Sequence, residues 1–550
     1  MIADISVTEK SFGDKTLMTN VKFSVDDNEK VGVVGRNGVG KSTLFGILTG
    51  RDVDYTGEVV YKRGTVVVAT AQEHHGLGDI AVMEYVLAGL PEYAQLRHIL
   101  HTYPETMGDD MKKIEEYTAA LDRFGQKGFY QIEELVAEEF RKFQLGDIAE
   151  RQLASLSGGQ KRLVEVIKIM HSDADLVLID EPTNHMDYVA KEQFVNWMKN
   201  ANEAMLVITH DRDVLREVDR IIEIKDGGCQ SFKGNYDAYL KQNASSTGNA
   251  MQEFEQMERR KTNLRDKVIQ FRRLKEKARD PDTIKQFKRR ENQAAAELAE
   301  LEKIEKPTFW IDKGNVAQLD YKVAGRYDKF KARNIHLSIK DGAMRSQRKL
   351  VEARDLALGY GENLLFEGVN IDLREGESIE LRGRNGAGKS TLIRALLAAG
   401  KPADITVFDG TLTLDPHVRI GVYDQEVDER YFDLPLREAI ERLYLDRGLS
   451  IGETKLRQLL SDYLFVENDA LVPLGRLSGG QKARFQIMSM LANEPQLLIL
   501  DEPTNHLDLP SIEELESALE RYSGALLYVS HDGYFRKAIG GDIIQIGTAK

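Results

Sequence analysis

Two glycine-rich segments of the chain have residues of the types and spacing that bind phosphate. They read GRNGVGKST at residues 35–43 and GRNGAGKST at residues 383–391. Glycines let backbone N–H groups turn toward phosphate oxygens, and a helix that begins at such a loop adds the positive end of its dipole. In this pattern Lys41 would reach the β- and γ-phosphates of a nucleotide, and Ser42 would ligate Mg²⁺.

The sequence around each loop predicts the elements that must position it. Apolar runs at residues 31–34 and 379–381 come before the loops and predict buried strands, and apolar residues at helical spacing follow the first loop. Strand, loop and helix together are the context that a phosphate-binding loop requires. The predicted phosphate-binding residues are Gly35, Arg36, Asn37, Gly38, Val39, Gly40, Lys41, Ser42, Thr43, Gly383, Arg384, Asn385, Gly386, Ala387, Gly388, Lys389, Ser390 and Thr391.

Carboxylates stand at the ends of two further predicted strands, LVLID at residues 176–180 and QLLIL at residues 496–500. Asp180 is suited to hold Mg²⁺, directly or through water, and Glu181 to orient or deprotonate an attacking water. His210 follows another apolar run, and beside these motifs it is interpreted as a γ-phosphate sensor, although a lone His there is more often structural. Gln72 is a weaker candidate for contacting Mg²⁺ and the attacking water.

These motifs occur twice, so the chain is a tandem duplication. LSGGQK at residues 156–161 returns at 477–482, and DEPTNHMD at 180–187 returns as DEPTNHLD at 501–508. The second copies of the catalytic and metal-binding candidates are Gln425, Asp501, Glu502 and His531, with Ser390 as the second hydroxyl ligand of Mg²⁺. Between loop and LSGGQ the first copy is about 27 residues longer, which indicates one insertion.

With LSGGQ, the phosphate loop, the Asp-Glu pair and the His, each copy resembles an ATP-binding cassette ATPase. The resemblance implies an α/β fold with two tandem cassettes that pack head to tail. Each ATP then lies between the loop of one cassette and the LSGGQ of the other, so Gly35–Thr43 would face the second signature and Gly383–Thr391 the first. The implied additional ATP contacts are the adenine-stacking aromatics Phe12 and Tyr360 and the signature residues Ser157, Gly158, Gly159, Gln160, Ser478, Gly479, Gly480 and Gln481. Both sites keep every catalytic element, so both are expected to hydrolyse ATP to ADP and phosphate.

Two segments lie outside the duplicated motifs. The insertion, at about residues 88–128, has helical spacing interrupted at Pro104 and Gly108, and it resembles the arm of the ABC-F subfamily. Residues 243–249 (NASSTGN) predict a polar spacer, followed by two helices of about 25 residues that turn at Asp280 and Pro281. The predicted domains are residues 1–242, a helical-hairpin linker at 243–329, and residues 330–550.

The hairpin concentrates positive charge at its turn. Residues 257–290 contain 14 Lys or Arg and 5 Asp or Glu, in a chain whose net charge is -14. A solvated coiled-coil spacer would explain the helices but not this focus of charge, whereas contact with RNA phosphates would explain the charge. The candidate RNA contacts are Arg272, Arg273, Lys275, Lys277, Arg279, Lys285, Lys288, Arg289 and Arg290.

Composition limits the remaining possibilities. No apolar run approaches the ~20 residues that cross a bilayer, the N-terminus lacks a signal-peptide pattern, and the single cysteine, Cys229, excludes multi-cysteine metal sites. A cytoplasmic monomer without a membrane domain or DNA partner is expected. A fused transporter ATPase and a DNA-repair ATPase are alternatives, but the first lacks such a hairpin and the second usually has zinc-binding cysteines or much longer coiled coils.

Over nearly its whole length the chain resembles ABC-F translation factors, such as the energy-dependent translational throttle. The resemblance implies that ATP closes the two cassettes, and that the closed protein binds the ribosome through its linker and arm. The linker would lie in the tRNA exit site near peptidyl-site tRNA, and hydrolysis would release the protein. Antibiotic-resistance members share this architecture, and the short turn favours a housekeeping translation factor over that alternative.

Overall fold

The computed structural model describes residues 1–13, 15–70, 79–90, 92–108, 110–184, 186–304, 306–316, 321–337, 348–398, 404–424 and 427–547. The chain divides into two compact units. The first combines Met1–Tyr236 with Ile335–Lys550 and contains two α/β modules, and the second is the helical segment Asp237–Asn334. The α/β class predicted from the sequence is therefore confirmed.

The first module has ten strands and eight α-helices among its described residues. The strands are β1 (Ala3–Phe12), β2 (Lys15–Met18), β3 (Val21–Val25), β4 (Lys30–Gly35), β5 (Thr56–Tyr61), β6 (Val67–Ala69), β7 (Leu176–Asp180), β8 (Ala204–Ile208), β9 (Arg220–Lys225) and β10 (Gly228–Lys233). The helices are α1 (Lys41–Leu48), α2 (Val82–Leu87), α3 (Tyr93–Thr106), α4 (Met111–Gln126), α5 (Ile132–Lys142), α6 (Gly158–Met170), α7 (Tyr188–Asn200) and α8 (Arg212–Leu215).

The central sheet of this module has the order β10-β9-β4-β8-β7-β6, and all its pairings except β10 with β9 are parallel. All five residues of β7 and of β8 are buried, because helices or a second sheet cover both faces of a parallel sheet. The smaller antiparallel sheet joins β1 with β2, β3 and β5. The carboxyl ends of β4, β7 and β8 consequently meet at one edge, where ligands bind in open α/β sheets.

Helices α3 and α4 occupy the insertion predicted as an arm. The ring of Tyr93 stacks on that of Phe124 with centroids 5.8 Å apart, and Phe129 packs edge-on against both. The predicted interruption at Pro104 is wrong, because this residue lies inside the last turn of α3. The chain turns after Thr106 instead, at Gly108, whose φ of 46° favours glycine.

The helical unit is built on two long helices, α9 (Tyr236–Lys277) and α10 (Pro281–Glu302), followed by α11 (Lys313–Val316) and α12 (Tyr321–Phe330). The predicted cap is confirmed, since the Asp280 carboxylate accepts from Thr283 N and Pro281 opens α10. The predicted spacer at 243–249 and the equal helix lengths are wrong, because α9 has 42 residues and α10 has 22. The side chains of Asn243 and Thr247 are buried, and Asn243 Nδ2 donates to the Trp310 carbonyl, so packing outweighs weak helix propensity.

The second module repeats the first, with eight strands among its described residues. Its strands are β11 (Lys349–Tyr360), β12 (Asn363–Arg374), β13 (Ser378–Arg382), β14 (Thr406–Leu414), β15 (Ile420–Tyr423), β16 (Leu497–Asp501), β17 (Ala525–Val529) and β18 (Asp542–Gln545). Its helices are α13 (Lys389–Leu397), α14 (Leu436–Asp446), α15 (Glu453–Asp462), α16 (Gly479–Leu491), α17 (Leu509–Glu520) and α18 (Gly533–Ile539). The parallel sheet has the order β15-β16-β17-β13-β18, which matches β6-β7-β8-β4-β9 of the first module.

Candidate active site

Each glycine-rich loop connects a central strand to a helix, as the sequence predicts. Gly40 and Gly388 precede α1 and α13 with φ of 102° and 101°, a region that side chains disfavour. A Cβ on Gly40 would lie 2.7 Å from Leu17 Cδ2, and one on Gly388 would lie 2.7 Å from Phe366 Cδ1. Both loops therefore need glycine at this point, which leaves their backbone N–H groups accessible at a helix N-terminus.

Hydroxyl and carboxylate groups suited to Mg²⁺ lie beside each loop. Ser42 Oγ donates to Asp180 Oδ2 at 2.9 Å, and Ser390 Oγ donates to Asp501 Oδ2 at 2.8 Å. These all-oxygen donor sets fit Mg²⁺, which also takes substrate phosphate oxygens and water as ligands. The Lys41 ammonium donates to the carbonyls of Gly35 and Arg36, so the cation lies inside its loop, where it can meet phosphate.

The two candidate catalytic glutamates follow β7 and β16 directly. Glu181 and Glu502 have φ of 47° and 50°. The backbone of each glutamate is therefore in a left-handed conformation, which costs about 1–3 kcal/mol. His531 Nε2 lies 3.3 Å from Glu502 Oε1, and His210 Nε2 lies 3.7 Å from Glu181 Oε1. The structure thus brings together the Glu and the His that the sequence assigned to each site.

Desolvation sets the protonation of these groups. It raises the pKa of Glu502 to about 7 and that of Asp501 to about 6, and it also raises the pKa of Glu181. Desolvation, with the nearby Lys389 charge, lowers the pKa of His531 to about 3, and His210 is shifted in the same direction. A neutral imidazole and a carboxyl group that can accept a proton near neutral pH suit water activation.

The two cassettes meet at their phosphate loops. Asn37 N donates to Asp508 Oδ2 at 3.2 Å, and Asn37 Nδ2 donates to the His506 carbonyl at 2.8 Å. Asn385 N donates to Asp187 Oδ2 at 3.0 Å in the reciprocal contact. Each glycine-rich loop therefore contacts the Asp that follows the DEPTNH motif of the other cassette.

The LSGGQ signatures form the N-termini of α6 and α16. Ser157 and Ser478 are the N-caps, and the side chains of Gln160 and Gln481 accept from the backbone N–H of their own serine, completing a capping box. The second signature reaches the first loop, because a Cβ on Gly480 would lie 2.1 Å from Asn37 Nδ2. The N-terminus of α16 thus faces the loop of the other cassette, as the resemblance implies for one of the two composite sites.

The structure gives less information on the two predicted adenine-stacking aromatics and the two predicted glutamines. Phe12, at the end of β1, is exposed, and the Lys10 ammonium lies 4.6 Å from its ring centroid. Tyr360, at the end of β11, has its hydroxyl 3.2 Å from Thr391 Oγ1 and the Arg394 guanidinium 5.8 Å from its ring. The predicted residues Gln72 and Gln425 lie outside the described residues.

Sequence reasoning missed four charged residues of the interface. Asp187 and Asp508 were available from the duplicated DEPTNH motif, since each of them lies two residues after its end. Lys191 and Arg212 have no polar counterpart in the second copy, where Ile512 and Gly533 stand at the matching positions. Only the packing of the cassettes brings these two cations to the second cassette.

The residues present fit a magnesium nucleotide at both sites. The loops carry glycines where a Cβ would clash, each has a Ser–Asp oxygen pair, and both ring nitrogens of His210 lack a hydrogen-bond partner among the described residues. In the ranges that the structure covers, no helix has the length and apolar character that crossing a membrane requires.

Comparison with known proteins agrees with this geometry. The ABC transporter family model matches residues 18–184 and 366–505, one region in each module. The chain is 31% identical over its full length to 80% of a putative ATP-binding protein, YdiF, of Bacillus subtilis. It is 27% identical, over 95% of this chain and 82% of the other, to the ribosome protection protein VmlR of Bacillus subtilis.

Other matches extend the comparison to eukaryotic and archaeal proteins. ABC transporter F family member 5 of Arabidopsis thaliana is 28% identical over 98% of this chain and 74% of its own. Among solved structures, the archaeal ribosome recycling factor aABCE1, in complex with the stalk protein aP1, has a TM-score of 0.58 at 16% identity. That match covers 98% of this chain and 90% of the other, and it shows a shared tandem-cassette fold. The chain therefore belongs to the ATP-binding cassette family, and within that family it is of the ABC-F type.

Proposed function

We propose that the chain hydrolyses ATP at two composite sites between its cassettes. The observation that carries this proposal is the reciprocal contact of each phosphate loop with the other cassette, Asn37 with Asp508 and Asn385 with Asp187. When groups from both cassettes bind the same ATP molecule, they hold the cassettes together only while that ATP is intact. Hydrolysis at such a site consequently opens the interface.

The side chains have separate tasks in this reaction. Lys41 and Lys389 would neutralise the phosphates, and the N-termini of α6 and α16 would face the γ-phosphate with Ser157, Ser478 and their glycines. Glu181 and Glu502 would take a proton from the attacking water, and His210 and His531 would donate to the γ-phosphate. Mg²⁺ held by the Ser–Asp pairs, with Gln72 and Gln425 as further candidate ligands, would polarise the phosphoryl oxygens.

We further propose that the ATP-closed protein binds the ribosome. Two lines support this. Relatives along the whole chain include one described as a ribosome protection protein and members of the F family. The helix ends that flank the turn between α9 and α10 also carry exposed cations in an acidic chain, among them Arg273, Lys288 and Arg289.

The proposed binding mode places the hairpin turn near peptidyl-site tRNA. RNA is recognised largely through its backbone and shape, and Lys and Arg contacts to phosphate make such binding strong and sensitive to salt. The arm of α3 and α4 would provide a second contact with ribosomal RNA or protein. On hydrolysis the cassettes open and the protein leaves, so that ATP sets its residence time on the ribosome and translation is modulated.

Ribosome protection against antibiotics is the second candidate function. The match to VmlR, over 95% of this chain, favours it. Only Ala278, Arg279 and Asp280 separate α9 from α10. This short turn favours a general translation factor instead. Drug susceptibility of a strain that expresses the chain separates the two: a raised inhibitory concentration for an antibiotic that binds the peptidyl-transferase region supports protection.

Sedimentation of a hydrolysis-deficient protein with ribosomes tests the proposed function. The Glu181→Gln, Glu502→Gln protein should bind ATP, remain closed and co-sediment with 70S ribosomes, whereas the same protein with ADP should remain in the supernatant. If the protein did not associate with ribosomes in the presence of ATP, the proposed ribosome binding would be wrong.

A matched control uses Glu438→Gln, an exposed carboxylate on α14. This variant should turn over ATP normally and should leave the ribosome as wild type does. If it were trapped as well, the effect of the double variant could not be assigned to the loss of hydrolysis.

A further inference from the structure

The polar contacts at the centre of the interface are unequal between the cassettes. The Lys191 ammonium, on α7 of the first cassette, donates to the His531 carbonyl of the second at 3.0 Å. Arg212, at the start of α8, forms a paired contact with Glu516, with Nη2 2.6 Å from Oε1 and Nη1 3.4 Å from Oε2. Arg212 Nη2 also lies 3.7 Å from Asp532 Oδ2. Both cations belong to the first cassette, and their acceptors here belong to the second.

The second cassette does not return these contacts. Ile512 stands where the first cassette has Lys191, and Gly533 stands where it has Arg212. Val195 occupies the position that corresponds to Glu516, so the acceptor is absent from the first cassette too. The inequality between the cassettes therefore follows from the residue types at these positions.

Burial makes these contacts sensitive to geometry. The side chain of Arg212 is 7% exposed and that of Glu516 is 10% exposed. Lys191 is held on its other side by Asp211 Oδ2 at 3.0 Å and Asp213 Oδ2 at 2.6 Å. Removing one partner of a buried pair leaves an uncompensated charge, so the groups stay together when the interface is closed. The Arg212 guanidinium also lies 4.8 Å from the ring of Tyr534.

The segment that these cations hold contains the second catalytic His. His531 N donates to Glu502 Oε2 at 3.1 Å, so the backbone of this segment supports the glutamate directly. Asp532 caps α18 with Oδ1, which accepts from the N–H groups of Tyr534 and Phe535, while Oδ2 faces Arg212. A shift of the His531–Asp532 segment would therefore move the imidazole and the glutamate at the same time.

We propose that Lys191 and Arg212 are positioning residues for ATP hydrolysis in the second cassette. When the cassettes close, the two cations fix the His531–Asp532 segment so that His531 and Glu502 stay aligned on the attacking water. The first cassette's His210–Glu181 pair receives no matching cations, because Ile512 and Gly533 occupy the corresponding positions of the second cassette. Hydrolysis at the Lys389 site thus depends on side chains that reach it from the first cassette, and the two ATP sites are unequal. This inference rests on the proposed ATP hydrolysis.

Two single-site backgrounds measure the inequality. Glu181→Gln leaves hydrolysis to the Lys389 site, and Glu502→Gln leaves it to the Lys41 site. ADP formation in a single turnover is followed in each, because this step does not require the interface to reopen. We expect Arg212→Gly, which gives the first cassette the residue of the second, to slow it about tenfold in the Glu181→Gln background. In the Glu502→Gln background we expect a change of less than about twofold, with ATP affinity unaltered in both.

Further variants separate positioning from loss of folding. Glu516→Gln removes the negative charge that Arg212 faces at nearly constant volume and should reproduce the selective loss. Arg212→Lys, which keeps a cation, should recover part of the rate. Lys191→Met should also act mainly in the Glu181→Gln background. Its matched control is Lys199→Met on the same helix, which removes a pair with Glu217 inside the first cassette and should change neither background.

The outcomes distinguish this inference from the function on which it rests. Selective loss in the Glu181→Gln background supports the inference. Equal loss in both backgrounds, or loss in neither, overturns it while the proposed ATPase stands. If neither single-site background forms ADP although the wild type does, the sites do not act separately and the inference also fails. If the wild type forms no ADP, the proposed function itself is wrong.

Discussion

The cassette interface and the helical hairpin both contain ion pairs, but they differ in how far these pairs are exposed to solvent. At the interface, the Arg212–Glu516 pair is 7% and 10% exposed, whereas on the hairpin Arg260 and its partner Glu297 are 67% and 39% exposed. Buried charges are costly to separate and tolerate little displacement. Exposed pairs contribute about 0–1 kcal/mol each and are screened by salt.

This difference indicates what each region is suited to do. The interface holds charged and polar groups where a small displacement changes reactivity, which favours chemistry. The hairpin leaves most of its turn cations in solvent, where a polyanion can reach them. Beside the turn, Glu291 of α10 pairs with Arg272 of α9 at 3.2 Å and also with Lys275, so these two cations are partly neutralised.

The largest expected effect comes from the interface. Replacing both glutamates, Glu181→Gln with Glu502→Gln, should lower steady-state ATP turnover by about a hundredfold or more, because no group remains to accept the proton of the attacking water. ATP affinity should change little, and both quantities are measured by phosphate release and nucleotide titration. Retention of more than a tenth of the turnover would show that these residues are not the proton acceptors.

Reversing exposed charge at the hairpin turn should act on binding instead of chemistry. Arg273→Glu with Lys288→Glu leaves the Glu291 pairs intact, and it should weaken ribosome binding about tenfold or more and flatten its dependence on salt. ATPase activity without ribosomes should stay normal. The matched control is Arg259→Glu with Lys267→Glu, two cations that are also exposed but lie farther from the turn. Equal loss of binding in both variants would contradict a charge focus at the turn.

A methyl group added to the second signature tests the fit between the cassettes. Gly480→Ala places a Cβ against Asn37, whose side chain cannot withdraw without losing its bond to the His506 carbonyl. We expect a fewfold to about tenfold loss of ATP turnover with a folded protein. Gly125→Ala on α4 has room for its methyl, since the nearest atom is 3.6 Å away, and should leave turnover unchanged. Normal turnover in Gly480→Ala would argue against the closed contact.

The smallest expected effect is local to the hairpin. Asp280→Ala removes the N-cap of α10, whose carboxylate accepts from Thr283 N and Thr283 Oγ1, and should destabilise the first turn of that helix by about 1 kcal/mol. Amide hydrogen exchange should speed up at residues 282–284, which follow Pro281, while the cassettes keep their protection. Faster exchange throughout the cassettes would mean that the cap stabilises more than the hairpin.

The features predicted from the sequence are those that local chemistry dictates. Glycines at 40 and 388, the Ser–Asp pairs and the Asp280 cap each need a certain residue at a certain position, whatever the rest of the fold does. The central strands were likewise predictable, because parallel strands buried on both faces are continuous apolar runs such as residues 176–179.

The features that escaped prediction depend on contacts distant in the sequence. The first turns of α9 contain Ser, Thr and Gly, which favour a spacer, until burial of Asn243 and Thr247 stabilises the helix. The bond from Asn37 to Asp508 joins residues 471 positions apart. The cations Lys191 and Arg212 become notable only after the cassettes are packed, because their acceptors His531 and Glu516 are more than 300 positions away in the sequence.

Cryo-electron microscopy of the Glu181→Gln, Glu502→Gln protein with ATP on 70S ribosomes tests the central claim most directly. The account predicts closed cassettes with ATP in both sites, and density for the turn at residues 272–290 against the acceptor arm of peptidyl-site tRNA. A ribosome-bound protein whose hairpin turn contacts neither tRNA nor ribosomal RNA would contradict it.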